Sequence, residues 1–208
     1  MTGGSDGWRP EDDAPEGWPV PLRGVTESVI ATKGPNDLWN VAALGLHARE
    51  SVVARTYGNT RTRRNFERRG GGVVQFVADP RAFVDAALSI REEAEPVLPS
   101  ADAWIEVDAT LVSSREEDGT TIREWELDPG ESEVIREGPT TINRGFGAVV
   151  EATVAASRLG VSGFDDADLR DRLDFLASVT ERCGGARERE AMARVAEYVD
   201  WDRREPEN

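Results

Sequence analysis

Lysine is almost missing from this sequence: Lys33 is the only one, and the rest of the 25 Lys+Arg are arginine. Cysteine and histidine also occur once each, as Cys183 and His47. A lone cysteine excludes an internal disulfide and suits a reducing compartment. A zinc site needs several soft ligands, and a nucleophilic Ser or Cys needs a base beside it. With one thiol and one imidazole, neither is expected, and no metal site is assigned. Long apolar runs are absent too. None approaches the ~18 residues of a membrane span, and residues 1–19 lack the apolar core of a signal peptide. These absences point to a cytoplasmic protein with no membrane partner.

Acid is what the sequence has in excess. Over 208 residues, 40 Asp+Glu face 25 Lys+Arg, a formal charge of −15, with 38% hydrophobic residues and a mean hydropathy of −0.50. An acidic, lysine-poor chain resembles proteins of a salt-filled, halophilic cytoplasm. In molar salt the Debye length falls to about 3 Å, so self-repulsion is screened. On this reading the acidic surface reports habitat and says little about a partner.

Residues 1–20, rich in Gly, Pro and acid, are expected to form a disordered or loosely attached tail in which Trp8 and Trp18 have no evident docking place. From Leu22 three strand-like runs follow, LRGVTESVIATK, LWNVAALGLHA and SVVARTY, the first two separated by the turn signal GPND. They predict an antiparallel meander. Residues 59–69 read as a short helix capped by Asn59, Thr60 or Thr62 and ended by Gly70-Gly71-Gly72. GVVQFVA reads as a buried strand, and Asp79-Pro80 as the start of a helix in which Phe83, Val84, Ala87 and Leu88 share one face. DAWIEVDATLVSS and TTIREWEL predict a hairpin turning at REEDG, and residues 128–139 a connecting loop. Three helices then close the chain. The first has a stripe of Phe146, Val149, Val150, Thr153, Val154 and Ser157; the second carries Leu169, Leu173 and Leu176; the third carries Met192, Val195, Ala196 and Val199. The predicted class is α+β, mainly β: a split β-barrel over 21–139 with inserted helices, and a C-terminal helical segment over 140–204. His47 reads as a half-exposed strand residue and Cys183 as a small packing residue.

One stretch breaks the acidic pattern. Between Arg55 and Val77 stand Arg55, Arg61, Arg63, Arg64, Arg68 and Arg69 against the single acid Glu67. Cations in the first turn of a helix oppose its dipole, so Arg61, Arg63 and Arg64 suggest a missing anion. Free backbone N–H groups, the hydroxyls of Thr60 and Thr62, and guanidinium forks are the parts of phosphate sites. A solvated basic face paired with the acidic surface explains the charge equally well. A nucleic acid fits poorly, because the patch is local and the remaining surface would repel a polyanion. No GxxxxGKS loop is present. On the strand upstream, residues 42–45 are mostly small, which lets a flat ring approach the backbone or lets strands pack tightly.

The motifs NVAALG (40–45), TRRN (62–65), GVVQFVADPRAFVDAAL (72–88) and INRGFGAVVEATVAASRL (142–159), in this order, resemble the FMN-binding split β-barrel flavoproteins. Within these the chain is similar to domain-of-unknown-function family 447, found mainly in archaea. The resemblance spans about residues 22–160. It implies a homodimer holding FMN near its interface, with Asn40, Ala42 and Gly45 by the ring and Thr62 and Asn65 by the phosphate end. The charge argument adds Thr60, Arg61 and Arg64. Ala43 stands where family members often have proline, and Asn143-Arg144 also looks family-like, in ligand contact or in packing. Three functions are compatible with this reading: an FMN-dependent oxidoreductase of unassigned substrate and catalytic residues, a non-catalytic flavin carrier, sensor or assembly protein, and a nucleotide- or RNA-binding barrel.

Overall fold

The computed structural model describes residues 15–22, 24–117, 119–138 and 142–201. The first three strands are β1 (Val25–Lys33), β2 (Trp39–Ala48) and β3 (Val52–Tyr57). After α1 (Arg61–Arg69) come β4 (Gly71–Val77), α2 (Pro80–Leu88) and the short β5 (Arg91–Glu93). The long hairpin β6 (Ala101–Glu117) and β7 (Thr120–Val134) is followed by α3 (Arg144–Ala156), α4 (Asp166–Cys183) and α5 (Ala186–Tyr198). The strand order is β1-β4-β6-β7-β3-β2-β5, and β1 also pairs with β2. That pairing closes six strands into a barrel and leaves β5 as an extra strand beside the first residues of β2.

Side chains alternate across each strand. On β1 and β2, Ile30, Leu44 and Leu46 point into the barrel, where they meet Val74, Ile105, Phe66, Trp125 and Leu127. The opposite face carries Val29, Ala31 and Val41, which pack with Phe83 and Ala86 of α2. A third cluster lies among the helices, with Val84 of α2 joining Ala152, Leu173 and Val195. Helix α2 therefore belongs to two cores and joins the barrel to the C-terminal helices. Arg81 and Arg194 reinforce the joint across α2 and α5 by pairing with Glu190 and Asp85 respectively.

The expected meander, the β6–β7 hairpin and all five helices form. Four details differ. The segment read as a loop from Asp128 is strand as far as Val134: Pro129 stands opposite Val107, with an irregularity in register beside it. β3 pairs with β7 only over residues 122–126, so the end of β7 has one free edge, where a proline costs no ladder bond. The buried stripe of α3 is rotated onto Ala148, Val149, Ala152, Thr153, Ala155 and Ala156. Phe146 and Val154 are only half-buried and Ser157 is exposed, because alanines let the neighbouring helices approach where larger side chains would hold them apart. On α5, Ala196 is exposed, and Ala191 with Met192 and Val195 is buried instead. In the N-terminal segment, Trp18 and Leu22 are buried in the barrel core. Gly17, at φ +84°, makes the turn that seats Trp18. Trp8 lies outside the described residues.

Candidate functional site

Thr32, Asn40 and Glu92 stand abreast on β1, β2 and β5, Thr32 opposite Asn40 and Asn40 opposite Glu92. Residues opposite one another in an antiparallel ladder share a face. Here it is the face that buries Ile30 and Leu44 further along, so the row forms the end layer of the barrel. Helix α1 lies across it. The amide of Asn65 donates to Thr32 Oγ1 at 3.1 Å and to Thr32 O at 3.3 Å. One turn earlier, Arg61 Nη1 donates to Glu92 Oε1 at 2.9 Å. Phe66 anchors the helix below, 5.2 Å between ring centroids from Trp125, whose indole N–H donates to Thr56 Oγ1 at 2.9 Å.

Between these anchors lie two polar side chains of a different kind. Asn40 and Thr62 are each only 6% exposed, yet neither side chain has a hydrogen-bond partner among the described residues. Among those residues only Arg63 Nε and Arg123 Nη1 are sealed from solvent without a partner. The amide of Asn40 and the hydroxyl of Thr62 therefore keep a path outward. Leaving such groups unpaired costs about 1–3 kcal/mol each if no solvent or ligand meets them.

The start of α1 gathers N–H groups and guanidiniums. Thr60 is the N-cap, accepting the N–H of Arg63 at 3.3 Å, and the first N–H groups of any helix lack intrahelical acceptors. Asn59 gathers the guanidiniums: its Oδ1 accepts from Arg63 Nη2 at 3.0 Å and from Arg64 Nη1 at 3.2 Å. The remaining arginines of the cluster divide. Arg55 pairs with Glu124 at 2.8 Å and, through its hydrogen bond, holds that carboxyl below the usual range. Arg68 and Arg69 sit in the last turn. Gly70, at φ 76°, then ends the helix by giving its N–H to Phe66 O.

The structure thus brings Asn40, Arg61, Thr62 and Asn65 to one layer, with Thr60 and Arg64 at its rim. Ala42 follows Asn40 on the same face of β2. Gly45 falls on the opposite face, where a Cβ would lie 3.4 Å from Val25 Cγ1 and 3.8 Å from Glu27 Oε1. Glu27 is itself pushed up by burial and by Glu151. His47 shares that outward face, and burial, then Arg55 and Arg49, lower its pKa. Asn143 caps α3, accepting the N–H groups of Gly145 and Phe146. Thr32 and Glu92 were not marked by sequence reasoning. The signal for Thr32 was its alternation with Ile30; Glu92 had none, because the pairing of β5 with β2 is non-local. Two clefts lie elsewhere. One of about 390 Å³ separates α4 from α5, and one of about 340 Å³ lies between Lys33, Trp39, Arg69 and Asp108. The second mixes cations with acids, so an anion gains little there.

Family models match two stretches of the sequence. Residues 26–136 match the N-terminal domain of the protein of unknown function DUF447, and residues 143–197 match the second DUF447 model. The chain belongs to the DUF447 family. A solved DUF447 structure, an FMN-bound protein from Methanosarcina mazei, is 26% identical, with a TM-score of 0.72 over 86% of this chain and 96% of that one. More distant likenesses include the styrene monooxygenase flavin reductase of Pseudomonas putida S12, 11% identical with a TM-score of 0.36 over 57% of this chain and 93% of that one. Another is nitrilotriacetate monooxygenase component B of Bacillus cereus, 13% identical with a TM-score of 0.40 over 54% and 71%. Among the described residues of the DUF447 protein no helix is long and apolar enough to cross a membrane.

Proposed function

We propose that this DUF447 protein binds FMN and acts as an FMN-dependent oxidoreductase. The observation that carries the reading is the FMN-bound relative, which aligns over 96% of its own length with this chain. The residues present fit the group. Asn40 and Thr62 are buried polar side chains with open hydrogen-bonding capacity, and they adjoin a helix N-terminus with Arg61 and Arg64 beside it. The N-terminal amides, Thr60, Thr62, Arg61 and Arg64 hold the phosphate, Asn65 fixes α1 to the barrel, and Asn40 and Ala42 lie on the face of β2 that takes the ring, with Gly45 on the other face. FMN supplies hydride or electron transfer when bound, and the protein supplies position and electrostatics. A flavin carrier or sensor without turnover is the second reading, and the same residues would serve it.

The working form is a homodimer. Leu38 (38% exposed), Ile90 (77%) and Tyr57 (55%) are apolar residues left uncovered beside the site, and a two-fold partner would bury them. The setting is a salt-rich cytoplasm, supported by the charge of −15 and the single free thiol. No nucleic-acid partner is assigned, because the basic patch is local and the rest of a surface carrying a formal −15 would repel a polyanion.

Purification in molar salt tests this. The protein is expected to be yellow with an oxidised-flavin spectrum, to release FMN on denaturation, and to scatter light as about twice 22.8 kDa. Bleaching by NADH or NADPH favours the oxidoreductase over the carrier. A colourless protein that takes up no added FMN overturns the reading.

A further inference from the structure

Glu92 is the one carboxylate in the Thr32–Asn40–Glu92 row, and it occupies the guanidinium that the phosphate end needs. Its Oε1 accepts from Arg61 Nη1 at 2.9 Å and from Asn36 Nδ2 at 3.4 Å. Both side chains of the ion pair are partly solvated, 41% exposed for Arg61 and 33% for Glu92. A pair this open is weak and exchangeable. Asn36, in the turn joining β1 to β2, gives Glu92 a second donor when Arg61 turns elsewhere.

Resting on the FMN reading above, we propose that Glu92 is a specificity-determining residue of the phosphate end: an internal anion that holds Arg61 over the site and yields it to a phosphate monoester. A phosphate monoester carries about −1.5 to −2 at neutral pH, and its oxygens offer a guanidinium the same two-pronged acceptor as a carboxylate does. The two anions therefore compete for Arg61 and repel each other. With no phosphate present, the pairing keeps a long, mobile cation in its working position. A flavin lacking the phosphate never makes the exchange, so Glu92 acts only on the phosphorylated ligand. No other residue in the row has this property, since Thr32 and Asn40 are neutral.

The test is fluorescence titration of FMN and of riboflavin against the unmutated protein, Glu92→Gln, Arg61→Ala and the double variant, with melting curves as the check on folding. Glutamine keeps an oxygen for Arg61 and removes the charge. Glu92→Gln is expected to tighten FMN about three- to tenfold and to leave riboflavin within about twofold. The gain should shrink in the Arg61→Ala background, because the competition is for that side chain. Unchanged or weaker FMN binding by Glu92→Gln overturns the proposal while leaving the FMN reading intact. Equal tightening of riboflavin also overturns it, since the effect would not pass through the phosphate. Failure of the unmutated protein to bind either flavin sinks the FMN reading and this proposal together.

Discussion

The two ends of α1 carry the same residue type in opposite electrostatic settings. At its start, Arg61 and Arg64 face the positive end of the helix dipole and are held by Glu92 and Asn59. At its end, Arg68 and Arg69 complement the negative end and need no partner to be stable there. Cations kept where the helix disfavours them stand beside Asn40 and Thr62, which are buried and have no side-chain hydrogen-bond partner among the described residues, and this contrast is what the proposed phosphate site rests on. The same residue type one helix length away sits where the dipole favours it. Composition does not separate the two groups; position on the helix does.

The largest expected effect comes from removing a cation at the start. Arg64→Ala, and Arg61→Ala toward the lower limit because Glu92 competes for it, should weaken FMN about 10- to 150-fold, the equivalent of about 1.5–3 kcal/mol for a charge-assisted bond. Riboflavin affinity should be unchanged. Flavin titrations decide it, and no loss in either variant makes the start of α1 a solvated face like its end.

A smaller effect separates groups that hold the fold from groups that wait for a ligand. Asn65→Ala removes two hydrogen bonds to Thr32 and should destabilise the protein by about 1–3 kcal/mol, seen as an earlier urea midpoint. Asn40→Ala and Thr62→Ala break no side-chain hydrogen bond among the described residues. They should leave that midpoint nearly in place and cost FMN binding on the order of 1 kcal/mol each. If Asn40→Ala unfolds as readily as Asn65→Ala, Asn40 is a structural amide and the contrast fails.

The smallest effect is at the far end. Arg68→Ala and Arg69→Ala should be silent in FMN titration and lower stability by only some tenths of a kcal/mol, more at low ionic strength than in molar salt. A tenfold loss of FMN affinity in Arg69→Ala would move the phosphate to the cleft beside Lys33 and Trp39.

Strands, helices and their approximate order are set by local chemistry, and most were legible. Alternation along β1 and β2, the Asp79-Pro80 start of α2 and the glycine stop of α1 each act over a few residues. The end of β7 was obscured because proline and acid read as a loop wherever the partner strand is out of view. The rotated stripe of α3 was obscured because alanine becomes a core residue only when a neighbouring helix comes close. Thr60 against Asn59 or Thr62 as the cap of α1 was likewise open until the backbone decided it. Asn59 then proved to be the acceptor that gathers Arg63 and Arg64.

The barrel-forming strand pattern, the misplaced cluster of arginines and the small-residue strand each depend on spacing within one segment and can be read locally. Tertiary packing brings Asn40, Thr62 and Asn65 into one layer and turns Gly45 away from it. It alone set Glu92, about 50 residues from Asn40 along the chain, against Arg61. Register between strands is fixed by the packing of the whole barrel, since sliding one strand by a single residue would turn its buried face to solvent. No local feature of Glu92 records which strand it will lie beside.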